Sequence, residues 1–114
     1  MSESCIFCRL AGERTRPFFV TESEHLMAFP ALHPINEGHL VVAPREHLER
    51  VSELPLTLSG ELLETAGRLG ALLVGEMRCG GFSLLLHEGA PSQPLSHLHV
   101  NIVPRHAGDG LDLP

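Results

Sequence analysis

Hydrophobic and polar positions alternate in short blocks along most of the chain, and one longer block has helical periodicity. From about Ser59 to Met77, apolar residues recur at spacings of three and four, which predicts one amphipathic helix with a single apolar stripe. The residues of this stripe are Leu62, Leu63, Ala66, Leu69, Leu73 and Met77. We expect Ser59 to cap the helix and Gly80-Gly81 to end it.

Short apolar segments on both sides of this helix predict β-strands. These segments are Phe18–Thr21, His25–Phe29, His39–Ala43, Phe82–His87 and His97–Val103. The first two, joined by the polar residues 22–24, predict a hairpin, and two short helices are expected over residues 5–10 and 45–53. The order of elements predicts a single α+β domain over residues 1–114, in which an antiparallel sheet of about five strands packs on one long helix.

The composition excludes several classes of protein. The 114 residues include 8 Lys and Arg against 14 Asp and Glu, and this net charge of −6 argues against electrostatic binding of nucleic acid. An apolar fraction of 43% argues against disorder. The longest apolar stretch, Leu69 to Val74, is far too short to cross a membrane, and the N-terminus lacks the pattern of a signal peptide. We therefore expect a cytoplasmic protein with neither nucleic acid nor membrane as a partner.

Histidine is unusually frequent, with eight residues beside three cysteines and no Trp or Tyr. Cys5 and Cys8 form a C-x-x-C pair and Cys79 stands alone, which excludes an even disulfide framework and favours a reducing compartment. The pair could form a tetrahedral zinc site with two histidines, although the spacing does not choose them. A redox role for the pair is the weaker alternative, because no strand precedes it.

The last predicted strand contains the most distinctive polar pattern of the chain. Because side chains alternate along a strand, His97, His99 and Asn101 share one face. The opposite face carries Leu98, Val100 and Ile102, which we expect to pack on the helix stripe. Neighbouring imidazoles suit nucleophilic or acid–base chemistry near neutral pH, or metal ligation. The alternative is a half-buried strand with a solvated face, but Lys, Glu and Thr are absent from that face.

Residues 93–105, with the sequence Gln-Pro-Leu-Ser-His-Leu-His-Val-Asn-Ile-Val-Pro-Arg, resemble the signature of the histidine triad (HIT) superfamily. The similarity extends to Gly38–Val42 and Pro44–His47, which fit the middle segment of the family, and to Cys5–Cys8 and Arg105–Gly110, which resemble the opening and the tail of the zinc-containing bacterial branch. The resemblance implies a HIT-like fold and a nucleotide hydrolase or nucleotidyl transferase. In this family the middle histidine attacks an α-phosphorus, and water or another acceptor then resolves the nucleotidyl-histidine.

The resemblance also implies roles for individual residues. His99 matches the nucleophile, Gln93 matches a position that contacts phosphate, and Asn101 occupies the third position of the triad. The implied ligands of a closed, structural zinc site are Cys5, Cys8, His47 and His97. The implied substrate pocket is lined by Ile6, Phe7, Leu10, Phe29, Leu32, His87 and Gln93. The resemblance further implies a nucleotide-like small-molecule substrate, a homodimer with joined sheets, and a position for His39 beside the triad strand.

Several positions depart from the family pattern, and most would face the substrate. Asn101 replaces a histidine, and an amide cannot carry a proton at neutral pH, although the transferase and phosphorylase branches also have an amide there. Ala31 stands where an aspartate usually binds the ribose hydroxyls, His87 where an asparagine lies near the phosphates, and Pro94 where a hydroxyl follows the glutamine. Two alternatives therefore stay open: a nucleotide-binding module with degenerate or very slow catalysis, and a purely structural zinc domain.

Overall fold

The computed structural model describes residues 5–12, 19–89 and 96–112. In chain order the described elements are α1 (Ile6–Ala11), β1 (Thr21–Glu22), β2 (Leu26–Pro30), β3 (Leu40–Pro44), a 3-10 helix (Val51–Glu53), α2 (Leu56–Met77), β4 (Gly81–Leu86) and β5 (Val100–Arg105). None of the described helices has the length and hydropathy needed to cross a membrane.

The five strands form one antiparallel sheet in the order β1-β2-β3-β5-β4. The predicted α+β class, with a five-stranded antiparallel sheet and one long helix, is therefore confirmed. β5 lies in the interior of the sheet, where Asn101 pairs with Val41 of β3 on one side and with Leu85 of β4 on the other. This position surrounds the triad strand with neighbours that hold its side chains in place.

Helix α2 packs on one face of the sheet through part of the predicted stripe. Leu62, Ala66 and Leu69 are buried against Val100 and Ile102 of β5, which contact the helix as expected. The strand begins at Val100 and not at His97 as predicted, and Leu98 is buried in the segment before it, outside this cluster. The assignment of Leu63 to the stripe is wrong, because its side chain is 64% exposed. One residue further along a helix turns the side chain by about 100°, which carries Leu63 away from the sheet.

The long helix begins earlier than the sequence pattern predicts. Pro55 occupies the N-cap position, and Ser59 lies inside the first turn with its hydroxyl donating to the Leu56 carbonyl at 2.9 Å. The prediction of Ser59 as the cap is therefore wrong. A proline is tolerated here because the first N–H groups of a helix have no partner within the helix. At the other end, Arg78 adopts a left-handed conformation with φ 53° and ends α2 before Gly80-Gly81.

The opposite face of the sheet carries the short helix α1. A second buried cluster there combines Cys5, Phe7 and Leu10 with Met27, Phe29, Val41 and Ala43. These residues alternate along β2 and β3 with those that face α2, as the pleat requires. Asn101 pairs with Val41, so the polar face of the triad strand lies on the α1 side.

The predicted helix over residues 45–53 is wrong apart from the 3-10 turn at its end. The Glu53 carboxylate accepts the backbone N–H groups of Glu49 and Arg50, which removes them from helical hydrogen bonding. Leu98 donates its N–H to the Leu48 carbonyl at 2.7 Å. The extended segment after β3 is thus fastened to the segment that leads into β5.

Candidate active site and metal centre

Four potential metal ligands converge between α1, the segment after β3 and the start of the triad segment. One donor atom each from Cys5, Cys8, His47 and His97 lies within 4.8 Å of the other three. The Cys8 Sγ lies 3.0 Å from His47 Nδ1 and 3.6 Å from His97 Nδ1, and the Cys5 Sγ lies 3.4 Å from His97 Nδ1. Tetrahedral zinc, with bonds of about 2.0–2.3 Å, places neighbouring donors roughly 3.5 Å apart, so this Cys2His2 cluster can hold a metal ion.

Short-range geometry brings the two cysteines to the same side of α1. Cys5 is the N-cap residue, and its Sγ accepts the Cys8 N–H at 3.4 Å. A spacing of three residues places side chains next to each other on a helix. Arg45 holds the other end of α1 by donating to the Ala11 carbonyl at 3.2 Å. Through Cys8, which contacts His47, and through Ala11, this six-residue helix is connected at two points to the segment that follows β3.

Each histidine of the cluster has a partner on its outer nitrogen. His97 is fully buried, and its Nε2–H donates to the Pro44 carbonyl at 2.7 Å, which leaves the Nδ1 lone pair for a metal. His47 Nε2 lies 3.0 Å from a carboxylate oxygen of Glu49. Such outer partners fix the tautomer and orientation of metal-binding histidines. Burial lowers the pKa of His97, which keeps the ring in the neutral form that binds metals.

The thiol of Cys8 needs a nearby cation to ionise near pH 7. Burial, together with the hydrogen bond and charge of Cys5, raises the pKa of Cys8 to about 11. A bound metal ion reverses this effect, because it stabilises the thiolate directly. The chemistry of the donor set thus agrees with its geometry.

His99 lies beside this cluster with a defined tautomer. Its Nδ1–H donates to the His97 carbonyl at 2.8 Å, so the neutral ring carries its lone pair on Nε2. Burial lowers the pKa of His99, and the nearby rings of His87 and His39 lower it further. The imidazole therefore stays neutral near pH 7 and retains the lone pair that a nucleophile needs.

A chain of hydrogen bonds fixes the side chain of Asn101. The Ile35 N–H donates to His39 Nδ1 at 2.9 Å, so the proton of this neutral ring lies on Nε2 and is donated to Asn101 Oδ1 at 2.9 Å. Asn101 Nδ2 in turn donates to the Leu85 carbonyl at 3.3 Å. Burial lowers the pKa of His39, which favours this neutral arrangement. His39 lies beside the triad strand, where the resemblance implied it.

A cavity of about 530 Å³ opens on the α1 side of the sheet, and His99 and Asn101 line it. Its apolar lining consists of Ile6, Phe7, Ala31, Leu32, Ile35, Val41 and Leu85. Its polar lining consists of His33, His39, His87, His99 and Asn101. A mainly apolar cavity with a few convergent polar groups is typical of a small-molecule site.

The cavity collects most of the residues that the resemblance assigned to a substrate. Ile6, Phe7, Leu32 and His87 line it together with His99 and Asn101. Leu10 and Phe29 belong instead to the buried cluster beneath the cavity, where the Phe29 ring meets the Phe7 ring edge-on at 5.1 Å. Gln93 and Pro94 lie outside the described residues.

Four residues that line the cavity were not predicted from the sequence, for two different reasons. Val41 and Leu85 flank Asn101 across the sheet, so strand pairing alone could have identified them. His33 and Ile35 lie in the segment between β2 and β3, where no periodic pattern predicts which side chains face the sheet.

Comparison with known proteins identifies the family. The family model described as "HIT domain" matches residues 13–108, which is most of the chain. The chain belongs to the HIT family. The HIT chain is 31% identical over 107 residues to a HIT-like protein of Methanocaldococcus jannaschii, covering 93% of this chain and 82% of that protein. A HIT family member from Bacillus subtilis with a known crystal structure is 28% identical in sequence, and the alignment covers 98% of this chain and 81% of the Bacillus chain. The two structures superimpose with a TM-score of 0.87.

Other relatives of this HIT protein bear names that state an activity or a ligand. An adenosine 5'-monophosphoramidase of Saccharomyces cerevisiae is 24% identical, covering 92% of this chain and 65% of the yeast protein. An adenylylsulfatase of Arabidopsis thaliana is 22% identical, covering 97% of this chain and 57% of the plant protein. A Zn-bound histidine triad protein from Mycobacterium smegmatis, 22% identical and covering 96% of this chain and 81% of its own, shares the fold with a TM-score of 0.86.

Proposed function

We propose that this protein is a hydrolase or nucleotidyl transferase that acts at the α-phosphorus of a nucleotide-like substrate through a nucleotidyl-histidine on His99. The observation that carries the proposal is the tautomer of His99: with Nδ1–H donated to the His97 carbonyl at 2.8 Å, the lone pair lies on Nε2 of a residue that lines the cavity. A cavity of about 530 Å³ is large enough for a mononucleotide.

The proposed reaction has two steps on the same nitrogen. The Nε2 lone pair forms a bond to phosphorus as the leaving group departs with the electrons of its own bond to phosphorus. The imidazolium that results is stabilised by the Nδ1–H bond to the His97 carbonyl. Water, or another acceptor in a transfer reaction, then attacks phosphorus and returns the electron pair to Nε2.

Donors to the phosphoryl oxygens are proposed among the polar lining residues. Asn101 and His87 line the cavity together with His99, and an amide N–H or imidazole N–H can stabilise the charge that develops in the transition state. Gln93 stays a prediction from the family resemblance. The names of the yeast and plant relatives, which denote enzymes acting on an adenosine phosphoramidate and on adenylyl sulfate, support a nucleotide substrate.

We also propose zinc as the metal of the Cys2His2 cluster, in a structural role. Two thiolates and two imidazoles complete a tetrahedral site, which leaves no position open for substrate or water. None of the four ligands is among the described residues that line the cavity. When bound, the ion would tie α1 to the segments around His47 and His97, and the Zn-bound mycobacterial relative supports its identity.

We further propose that the protein is a homodimer and that it lies in a reducing cytoplasm. β4 forms an edge of the sheet, so the backbone groups on its outer side can pair with a second copy of the same strand. On α2, Leu63 and Leu72 are 64% and 62% exposed, which is the kind of apolar surface that a subunit contact covers. Three unpaired cysteines fit a reducing compartment.

Turnover of a nucleotide panel tests the proposed activity. Adenylyl sulfate, adenosine phosphoramidate and dinucleoside polyphosphates are each incubated with the protein and with the His99→Ala variant. We expect hydrolysis of at least one by the native protein and a loss of about 1,000-fold or more in the variant, because a covalent route needs its nucleophile. Turnover that survives His99→Ala would contradict the proposal. Saturable binding without turnover would favour the second candidate, a nucleotide-binding module, which Asn101 suggests because it cannot carry a proton.

A further inference from the structure

We infer that Asn101 makes the site select substrates whose leaving group departs as a stable anion, such as sulfate, phosphate or polyphosphate. Substrates whose leaving group must gain a proton as it departs, such as amines and simple alcohols, should react slowly. This inference rests on the proposed function and names the substrate class of the same site.

His99 comes directly before β5, Asn101 is the second residue of β5, and both side chains line the cavity. Side chains at this spacing are neighbours, roughly 6–7 Å apart. An amide donates and accepts hydrogen bonds but transfers no proton at neutral pH. Asn101 can therefore contact a departing atom without protonating it.

The hydrogen bonds of Asn101 also determine what it offers to a ligand. Its Oδ1 accepts from His39 Nε2 at 2.9 Å, and one Nδ2 hydrogen is donated to the Leu85 carbonyl at 3.3 Å. The second Nδ2 hydrogen is the group that it can present in the cavity. A fixed N–H donor stabilises a departing oxygen of low basicity that carries negative charge, but it does not replace the full proton that an amine or a strongly basic alkoxide needs.

Both nitrogens of the His39 imidazole, next to Asn101, are occupied by hydrogen bonds within the protein. His39 is 5% exposed, accepts from the Ile35 N–H at Nδ1 and donates from Nε2 to Asn101. Delivering its proton to a leaving group would break the bond that orients the amide. His39 therefore holds Asn101 in place. The two remaining imidazoles of the lining, His33 and His87, lie on the exposed rim of the cavity.

The electron balance of the first step shows why the leaving group matters. As the His99 Nε2 lone pair bonds to phosphorus, the pair of the breaking bond stays on the departing atom. Sulfate and phosphate hold that pair as stable anions, whereas an amine nitrogen or an alkyl oxygen needs a proton to do so. In the second step water attacks phosphorus, the phosphorus–nitrogen bond breaks, the pair returns to Nε2, and the proton of water passes to solvent.

The experiment compares kcat/KM for two aryl esters of adenosine monophosphate, one with para-nitrophenol and one with phenol. The value of kcat/KM reports the steps up to the departure of the phenol, even where the second step limits kcat. The ester ratio is kcat/KM for the nitrophenyl ester divided by kcat/KM for the phenyl ester. General-acid catalysis contributes about 100-fold to 10,000-fold, so its absence predicts a native preference for the nitrophenyl ester of about 100-fold or more. We expect the same preference for adenylyl sulfate over adenosine phosphoramidate.

Two variants of Asn101 form a matched pair. Asn101→His supplies a group that can protonate, and we expect it to narrow the ester ratio by about tenfold or more, mainly by accelerating the phenyl ester. That acceleration should disappear at high pH, as the introduced imidazole loses its proton. Asn101→Gln keeps an amide and should keep both the steep preference and the native pH profile.

Several outcomes would overturn the inference. Native kcat/KM values that agree within about threefold for the two esters would show that another group supplies the proton. An unchanged ester ratio in a folded Asn101→His variant would also overturn the inference. If that variant misfolds, the ester ratio of the native protein alone tests the inference. If every ester, adenylyl sulfate and adenosine phosphoramidate fail to turn over and leave no adduct on His99, the proposed function itself is overturned.

Discussion

The His97 carbonyl accepts the Nδ1–H of His99 at 2.8 Å, while the His97 ring faces the sulfur atoms of Cys5 and Cys8 at 3.4 and 3.6 Å. One residue thus connects the metal cluster with the proposed nucleophile. Phe7 reinforces the connection, because its ring meets the His97 ring edge-on at 5.5 Å and the His99 ring at 5.1 Å. The metal cluster and the orientation of His99 should therefore be coupled.

Removal of a metal ligand should lower both the metal content and the stability of the fold. We expect Cys5→Ser to lose bound zinc and about 3 kcal/mol or more of stability, which lowers Tm by about 10 °C or more in a chain of this size. Metal analysis and thermal unfolding measure both effects. Cys79→Ser is the matched control, since Cys79 lies outside the cluster and its Sγ contacts the Gly81 carbonyl. A Cys5→Ser protein with full metal content would refute the ligand set.

Arg45 should contribute more to stability than a typical surface arginine. Its buried side chain donates to the Ala11 and Ser23 carbonyls at 3.2 and 2.9 Å and pairs with Glu22. We expect Arg45→Ala to cost about 2–4 kcal/mol, because these buried acceptors lose a charged donor. Arg68→Ala, which removes an exposed helical ion pair with Glu64, should change the free energy of unfolding by less than about 0.5 kcal/mol. Equal effects in denaturant titrations would contradict this account of α1.

Close packing between α2 and β4 requires Gly70. A Cβ at Gly70 would approach the Phe82 ring to 2.4 Å, so we expect Gly70→Ala to destabilise the fold by about 1–3 kcal/mol. At Gly60 a Cβ meets nothing within 4 Å, and Gly60→Ala should be neutral or stabilise the helix by up to about 1 kcal/mol. Urea unfolding of the two variants measures the difference, and a stable Gly70→Ala protein would argue against this contact.

Buried His39 should make the native fold sensitive to acid. Burial lowers its pKa below the ordinary value of 6.5, so the unfolded chain takes up a proton at a higher pH than the folded chain. Its contribution to stability is therefore full above about pH 6.5 and is lost as the pH falls through the lower, folded pKa. We expect His39→Gln to flatten the dependence of the unfolding free energy on pH between about 7 and 5, with zinc in excess. An unchanged slope would contradict the buried, neutral state of His39.

Strand alternation was sufficient to predict much of the arrangement of the triad strand. The period of two along β5 places Val100 and Ile102 against α2 and Asn101 on the other side of the sheet, where it lines the cavity together with His99 of the preceding segment. This works because the two sides of the strand are chemically distinct, so only one orientation buries the apolar residues. The two histidine ligands of the metal cluster, by contrast, were chosen from eight histidines by family resemblance, since spacing carries no information on contacts between distant segments.

Other parts of the site depend on contacts that no local pattern encodes. His33 and Ile35 reach the cavity from an irregular segment between two strands, and the Ile35 N–H that fixes the tautomer of His39 is a backbone group. The segment after Pro44 resembles a helix in composition, but the Glu53 carboxylate competes for its N–H groups. Such side-chain competition is decided by the folded geometry, which explains why the predicted helix was wrong.

Trapping of the covalent intermediate shows directly whether His99 is the nucleophile. The protein is mixed with the para-nitrophenyl ester of adenosine monophosphate, quenched within the first turnover, and examined by intact mass and peptide mapping. We expect one adenylyl group per chain, attached to His99 and absent from His99→Ala. Nitrophenol release at the native rate by His99→Ala, with no adduct on the native protein, would rule out His99 as the nucleophile.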